Sequence, residues 1–275
     1  MIVLHPEMAE PIRAAFAAYQ QVQQRKQAEA FERRLKRSSD PDLVPADLTA
    51  LIDYARSDAL SYPILGFNGQ LIRAGLLLTL MRNLRFDAFI ETGTFRGETC
   101  FLVAAQTTLP IRSCDLPHRA ETVATVLSSV CGEAVQLSRM DSREFLMAVL
   151  RDSRFQKPFF YLDAHWEDDL PLLGELAEIL KSETEFVIAI DDFRVPGDQG
   201  FGFDEYPKAI LQWDYIAGTV KGSGRQVGVF YPCYPSTLET GSKRGFILLS
   251  SKGMTPLIEA ALPPGFLRPP DQHES

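Results

Sequence analysis

From Phe86 onward, five short apolar runs alternate with stretches of helical character, and few architectures accommodate that pattern. The runs are "FDAFIETG", "IRSCDLP", "AVQLSRMD", "FFYLDAH" and "FVIAIDDF". Helix-like segments fall between them near 97–107, 119–130, 142–151 and 171–181. Runs apolar on both faces and separated by helices predict a mostly parallel sheet covered on both sides. Two further runs, "QVGVFYP" and "RGFILLSS", follow one another and suit an antiparallel C-terminal hairpin at the sheet edge. The expected class is α/β, with seven strands.

The segment before this pattern reads differently. Residues 8–37 are rich in Ala, Gln, Glu and Arg with few breakers, which predicts one long helix. "PADLTALIDYARSDA" and "NGQLIRAGLLLTLMRNL" predict two more. The organisation expected is a helical N-terminal extension over 1–84, a cap or dimerisation arm through which the chain could form a homo-oligomer. The sheet domain spans 85–252 and a tail spans 253–275, whose end, "LPPGFLRPPDQHES", reads as disordered or as a loosely docked strap.

Charge narrows the function. With a net charge of −8 over 275 residues, the chain is not expected to bind nucleic acid or an anionic membrane. The acid is concentrated: Phe160 to Ile210 hold thirteen Asp or Glu against three Lys or Arg. That is a solvated face or a place for a divalent cation. The four cysteines lack metal-ligand spacing, no run approaches the length of a membrane span, and the start lacks a signal-peptide pattern. A cytoplasmic, reduced protein is expected.

In such sheets ligands bind at the carboxyl ends of the strands. The first run ends "FIETGTFRGET", placing Glu91, Gly93 and Gly97 in the turn into the next helix. Gly93 permits a tight turn and Gly97 a close helix. Asp115 closes the second run, where an acidic side chain takes ribose hydroxyls. A dinucleotide loop wants G-x-G-x-x-G, but here Phe95 replaces the middle glycine and Glu91 precedes the loop. A carboxylate there repels phosphate and suits the ammonium of an amino acid. The combination favours S-adenosylmethionine.

"ETGTFRGET", Asp115, "MDSREFL" and two later acidic strand ends resemble a class I S-adenosylmethionine-dependent methyltransferase over roughly residues 85–250. The resemblance implies a Rossmann-like fold in which Glu91, Thr92, Gly93, Thr94 and Gly97 hold the methionine portion. Asp115 would then take the ribose, and Asp141 with Ser142 would contact adenine. The missing middle glycine is a departure from the family pattern.

The fourth run ends "LDAHW" and the fifth "IDDF". If the two strands are neighbours, Asp163, Asp191 and Asp192 converge beside the cofactor. An oxygen-rich set suits Mg²⁺, with Mn²⁺ favoured if an imidazole joins. The pattern is similar to the metal-dependent macrocin O-methyltransferase group and to cephalosporin hydroxylase-like enzymes. That similarity implies O-methylation of a small-molecule acceptor such as a sugar or natural product, with Asp163, Asp191 and Asp192 as metal ligands. His165, standing where that group tends to carry a second carboxylate, or Asp163 would be the base. A double Asp is also a common turn former, and His165 could equally be a packing residue. Loop 194–207 offers Phe201, Phe203 and Tyr206 as a lid or as plain surface. A non-catalytic cofactor-binding protein and a hydroxylase-like relative are the alternatives in other classes.

Overall fold

A computed structural model describes residues 66–95, 97–117, 132–165, 169–262 and 265–270. The helices expected over 8–37, 45–59 and 119–130, and with them the dimerisation arm, lie outside the described residues. The described elements are α1 (Leu71–Asn83), β1 (Phe89–Thr92), α2 (Glu98–Gln106), β2 (Ile111–Asp115) and β3 (Val135–Arg139). Next come α3 (Ser142–Leu150), β4 (Phe159–Leu162), α4 (Leu172–Lys181) and β5 (Val187–Ile190). A small ribbon of β6 (Glu205–Tyr206) and β7 (Ala209–Ile210) precedes α5 (Trp213–Gly222) and β8 (Val227–Pro232). The last described elements are β9 (Ile247–Ser251), α6 (Thr255–Ala261) and β10 (Leu267–Arg268).

The strands form one sheet in the order β10-β8-β9-β5-β4-β1-β2-β3. The five strands β3, β2, β1, β4 and β5 run parallel, as the alternation requires. β9 is antiparallel to both β5 and β8 and lies between them, so the expected hairpin forms with its second strand inside the sheet. The tail supplies an eighth strand: Leu267 and Arg268 pair with Pro232 and Tyr231 of β8. Every residue of β1, β4, β5 and β9 is buried, the signature of a sheet covered on both faces.

The helices cover it for a readable reason. α4 buries Leu172, Leu176, Ile179 and Leu180, a single stripe at helical spacing. α1 is apolar all round and buries eleven of its thirteen residues, so it packs in the same core as the sheet, although the sequence reading placed it with the extension. No side chain at the start of α1 caps it. Its first amides are satisfied from far along the chain: Leu71 N–H donates to Thr240 Oγ1 at 3.0 Å, and Ile72 and Arg73 N–H donate to the Glu239 carboxylate at 3.1 Å each. Glu239 also accepts from Tyr234 Oη at 2.9 Å. This cap fixes α1 against the same sheet edge that carries the acidic strand ends.

Candidate active site

At the carboxyl edge β1, β4 and β5 sit side by side, with Thr92 opposite Leu162 and Leu162 opposite Ile190. The residues that follow these strands therefore meet. Gly93 has φ +80°, and a Cβ there would lie 2.2 Å from the Asp163 carbonyl oxygen. Conformation and contact both require glycine. Gly97, also left-handed, opens α2 without a side-chain cap, and its N–H donates to the Thr94 carbonyl at 2.7 Å. Phe95, at the missing-glycine position, is left-handed at φ 47° and 48% exposed.

Polar contacts beneath this loop set its chemistry. Glu91 is buried, and Ser113 Oγ at 2.6 Å and Cys100 Sγ at 2.9 Å both donate to its Oε2. Burial pushes its pKa up to about 7 against the pull of those bonds. Only Oε1 remains for a ligand. Thr94 Oγ1 meets Ser113 Oγ at 2.5 Å, which ties the loop to β2. Asp115 accepts from Phe95 N–H on one oxygen and from Leu116 N–H on the other, each at 2.8 Å. These bonds hold the carboxylate at the end of β2, with lone pairs left for hydroxyl donors.

Asp141 and Ser142 carry structural duties at the place expected for adenine. Asp141 caps α3 by accepting from Arg143 N–H at 2.9 Å, and the Arg143 guanidinium holds its carboxyl below the usual range. Arg143 also reaches Asp169 at 2.7 Å, joining α3 to the loop before α4. Ser142 is buried and, with Thr92, approaches the wholly buried Glu175 carboxyl without closing a well-formed hydrogen bond.

The acidic strand ends divide their labour. Asp191, expected as a metal ligand, is turned into the protein. Its Oδ1 lies 2.6 Å from Arg73 Nη2 and accepts from Asp192 N–H at 2.6 Å. Its Oδ2 accepts from Asn68 Nδ2 at 2.9 Å and from Tyr161 Oη. Burial works against the Arg73 charge, and Asp191 more than restores it. With four donors already around it, Asp191 is a buried counter-ion and not an open ligand. Asp192, left-handed at φ 52°, faces the other way.

Asp163, His165 and Asp192 present ligand atoms that all lie within 4.8 Å of one another. Burial, then the charges of Asp191 and Asp192, raises the Asp163 pKa well above the carboxylate range. Asp192 is pushed up to about 7 by burial and by Asp191, while Arg244 pulls it down. His165 is buried, and burial lowers its pKa, so it is neutral at physiological pH. Its Nε2 lies 3.3 Å from the Asp191 carbonyl oxygen and 3.9 Å from Asp163 Oδ1. A carbonyl only accepts, so the contact places the ring proton on Nε2. The other tautomer would bury an N–H at Nδ1, where the described residues offer no partner. In the favoured tautomer the basic lone pair of His165 lies on the buried Nδ1 and not on the Nε2 that approaches Asp163.

This donor set fits a divalent ion through Asp163 and Asp192, with His165 as a third ligand only in the tautomer that frees Nε2. Several partners were not foreseen. Arg73 had a signal, a lone cation inside "LIRAGLLLTL", because a buried arginine needs a carboxylate. Arg244, which joins Asp192 to Asp204, had none, while Tyr206, expected as a lid aromatic, sends its hydroxyl to the His165 carbonyl and Asp204. Of the lid aromatics, Phe201 is buried against Tyr234, so it is core and not lid. Phe203 lines a hollow of about 790 Å³ with Arg194, Gln212, Trp213, Asp214 and Lys221. Trp166, Glu167 and Asp168 lie outside the described residues.

No protein-family model matches this chain, and no curated protein does. Solved structures do share its general course. Precorrin-6y C5,15-methyltransferase from Geobacter metallireducens GS-15 is 13% identical, with 70% of this chain and 100% of that chain covered at a TM-score of 0.44. An O-methyltransferase family protein from Burkholderia thailandensis is 13% identical over 88% of this chain and 71% of its own, at 0.42. The N-terminal domain of EvdMO1 with SAH bound is 15% identical over 64% and 78%, at 0.41. Likenesses this distant carry no weight for the activity of this chain. Among the described residues, no helix is long and apolar enough to cross a membrane.

Proposed function

We propose that this chain is a class I S-adenosylmethionine-dependent methyltransferase that methylates a hydroxyl of a small molecule with the help of a divalent cation. The observation that carries this reading is the packing of Gly93 on the Asp163 carbonyl, which makes the glycine loop and the acidic strand end one wall. A nucleoside donor on the loop would lie beside the carboxylates. The loop suits a phosphate-free nucleoside, because the Phe95 amide is spent on Asp115 and is not offered to an anion.

In this reading Asp115 takes the ribose hydroxyls and Glu91 Oε1 faces the ammonium of the amino-acid tail. S-adenosylmethionine supplies a sulfonium methyl, and in-line transfer to the acceptor oxygen leaves S-adenosylhomocysteine. Asp163 and Asp192 would hold a Mg²⁺ or Mn²⁺ ion, which would supply Lewis acidity toward an acceptor hydroxyl. Asp163 accepts the hydroxyl proton, since its carboxylate belongs to the cluster beside the glycine loop. His165 holds the turn after β4 by donating to the Asp191 carbonyl. Holding donor and acceptor together supplies much of the rate.

Calorimetry with S-adenosylmethionine and S-adenosylhomocysteine, with and without Mg²⁺, tests the reading. Binding of both nucleosides is expected. Silence with both would sink it. Tight binding with no methyl acceptor in a cell extract would point to a non-catalytic binding protein, and oxygen-dependent turnover to a hydroxylase.

A further inference from the structure

We propose that Arg244 is a resident counter-cation which holds the place of the divalent ion on Asp192 and must yield it when the ion binds. This rests on the cation part of the reading above. The Arg244 guanidinium bridges two carboxylates, with Nε on Asp192 Oδ1 and Nη2 on Asp204 Oδ1. A cation is thus already seated at this edge of the cluster, on a carboxylate that also belongs to the Asp163, His165 and Asp192 set.

Charge counting says why the seat is contested. Four carboxylates, Asp163, Asp191, Asp192 and Asp204, surround the cluster. Two arginines, Arg73 and Arg244, oppose them. Close carboxylates without a counter-ion repel one another, so Asp192 keeps a cation beside it in either state, the guanidinium or the divalent ion. Arg73 cannot give way, since its side chain and that of Asp191 are both fully buried. The Arg244 side chain is 26% exposed and has solvent to move into.

The backbone around Arg244 is fixed while its head is not. Gln70 Oε1 accepts from Arg244 N–H at 2.7 Å, and Gln70 Nε2 donates to the Arg244 carbonyl at 2.9 Å. On either side, Gly202 N–H donates to the Lys243 carbonyl at 2.8 Å and Gly245 N–H to the Gly202 carbonyl at 2.7 Å. None of these bonds uses the guanidinium. The side chain can therefore be exchanged without releasing the segment that carries it.

Mn²⁺ titration followed by electron paramagnetic resonance, on the full chain, tests the proposal. Arg244→Gln should tighten Mn²⁺ on the order of tenfold by removing the competitor, while Arg244→Lys should stay within about twofold of wild type. Asp204→Asn leaves the guanidinium Asp192 alone and should weaken Mn²⁺ several-fold; it also serves if Arg244→Gln does not fold. Arg194→Gln removes a nearby cation that bonds Gln212 and not Asp192, and should change affinity by less than about twofold. Unchanged or weaker Mn²⁺ binding in Arg244→Gln, or an equal gain in Arg194→Gln, would overturn the proposal. Absence of Mn²⁺ binding in every variant would overturn it too. S-adenosylhomocysteine calorimetry on the same samples separates the outcomes: retained binding leaves the methyltransferase reading standing, and loss in wild type removes that reading as well.

Discussion

Arg73 Nη2 and Asp191 Oδ1 lie 2.6 Å apart with neither side chain exposed, so the N-terminal turn of α1 and the end of β5 are joined by an ion pair inside the protein. Tyr161 completes the group, accepting from Arg73 at 2.9 Å and donating to Asp191. Removing one member leaves the other as an unpaired buried charge, which costs about 3–5 kcal/mol. Arg73→Met and Asp191→Ala should each lose stability of that order in urea melts. The double variant should lose less than the sum, because no lone charge remains.

Gly93→Ala meets two penalties. The left-handed backbone costs about 1–2 kcal/mol for a residue with a Cβ, and that Cβ would press on the Asp163 carbonyl. S-adenosylhomocysteine affinity should fall by roughly tenfold or more, as expected when a loop is displaced from its binding geometry. Calorimetry reads it directly.

The proton acceptor can be identified by contrast. Asp163→Asn should cut methyl transfer by about 10²–10⁴-fold, the usual worth of a general base. His165→Gln keeps a donor for the Asp191 carbonyl and should cost far less. Equal losses from the two, measured as kcat under saturating donor, would restore His165 as the base.

Stability should depend on pH through Glu175. Burial raises its pKa from 4.5 to about 7 in the folded chain. The folded state therefore keeps a proton that the unfolded state has already lost between these values. Stability from this group is complete below pH 4.5 and declines as pH rises through 7. The shift corresponds to about 3 kcal/mol as an upper figure. Glu175→Gln cannot ionise, so its melts at pH 5 and pH 8 should differ by less than those of wild type by up to this amount.

The sheet was legible because burial on both faces writes itself into composition: "FVIAID" and "FFYLD" admit little else. The closing pair was legible as strands but not in its placement, since nothing in "RGFILLSS" says that it slots between β5 and β8. At the site, Asp163 and the glycines announced themselves by position at strand ends. The pair Asp191–Asp192 did not say which carboxylate turns inward. That is decided by Asn68 and Arg73 around the start of α1 and by Tyr161 of β4, residues from two other places in the chain. His165 was legible as a member of the cluster, but its tautomer depends on a backbone carbonyl of β5, to which side-chain patterns are blind.

The remote cap on α1 carries a consequence for how the protein is made. The amides of Leu71, Ile72 and Arg73 find their acceptors on Thr240 and Glu239, which leave the ribosome 166–169 residues later. Until then the first turn of α1 has only water to satisfy it, and α1 itself is too short to persist alone. Vectorial synthesis thus leaves the oily helix α1 waiting for a cap made some 166 residues after it. Nascent chains halted just before Glu239 should be the species that chaperones hold longest.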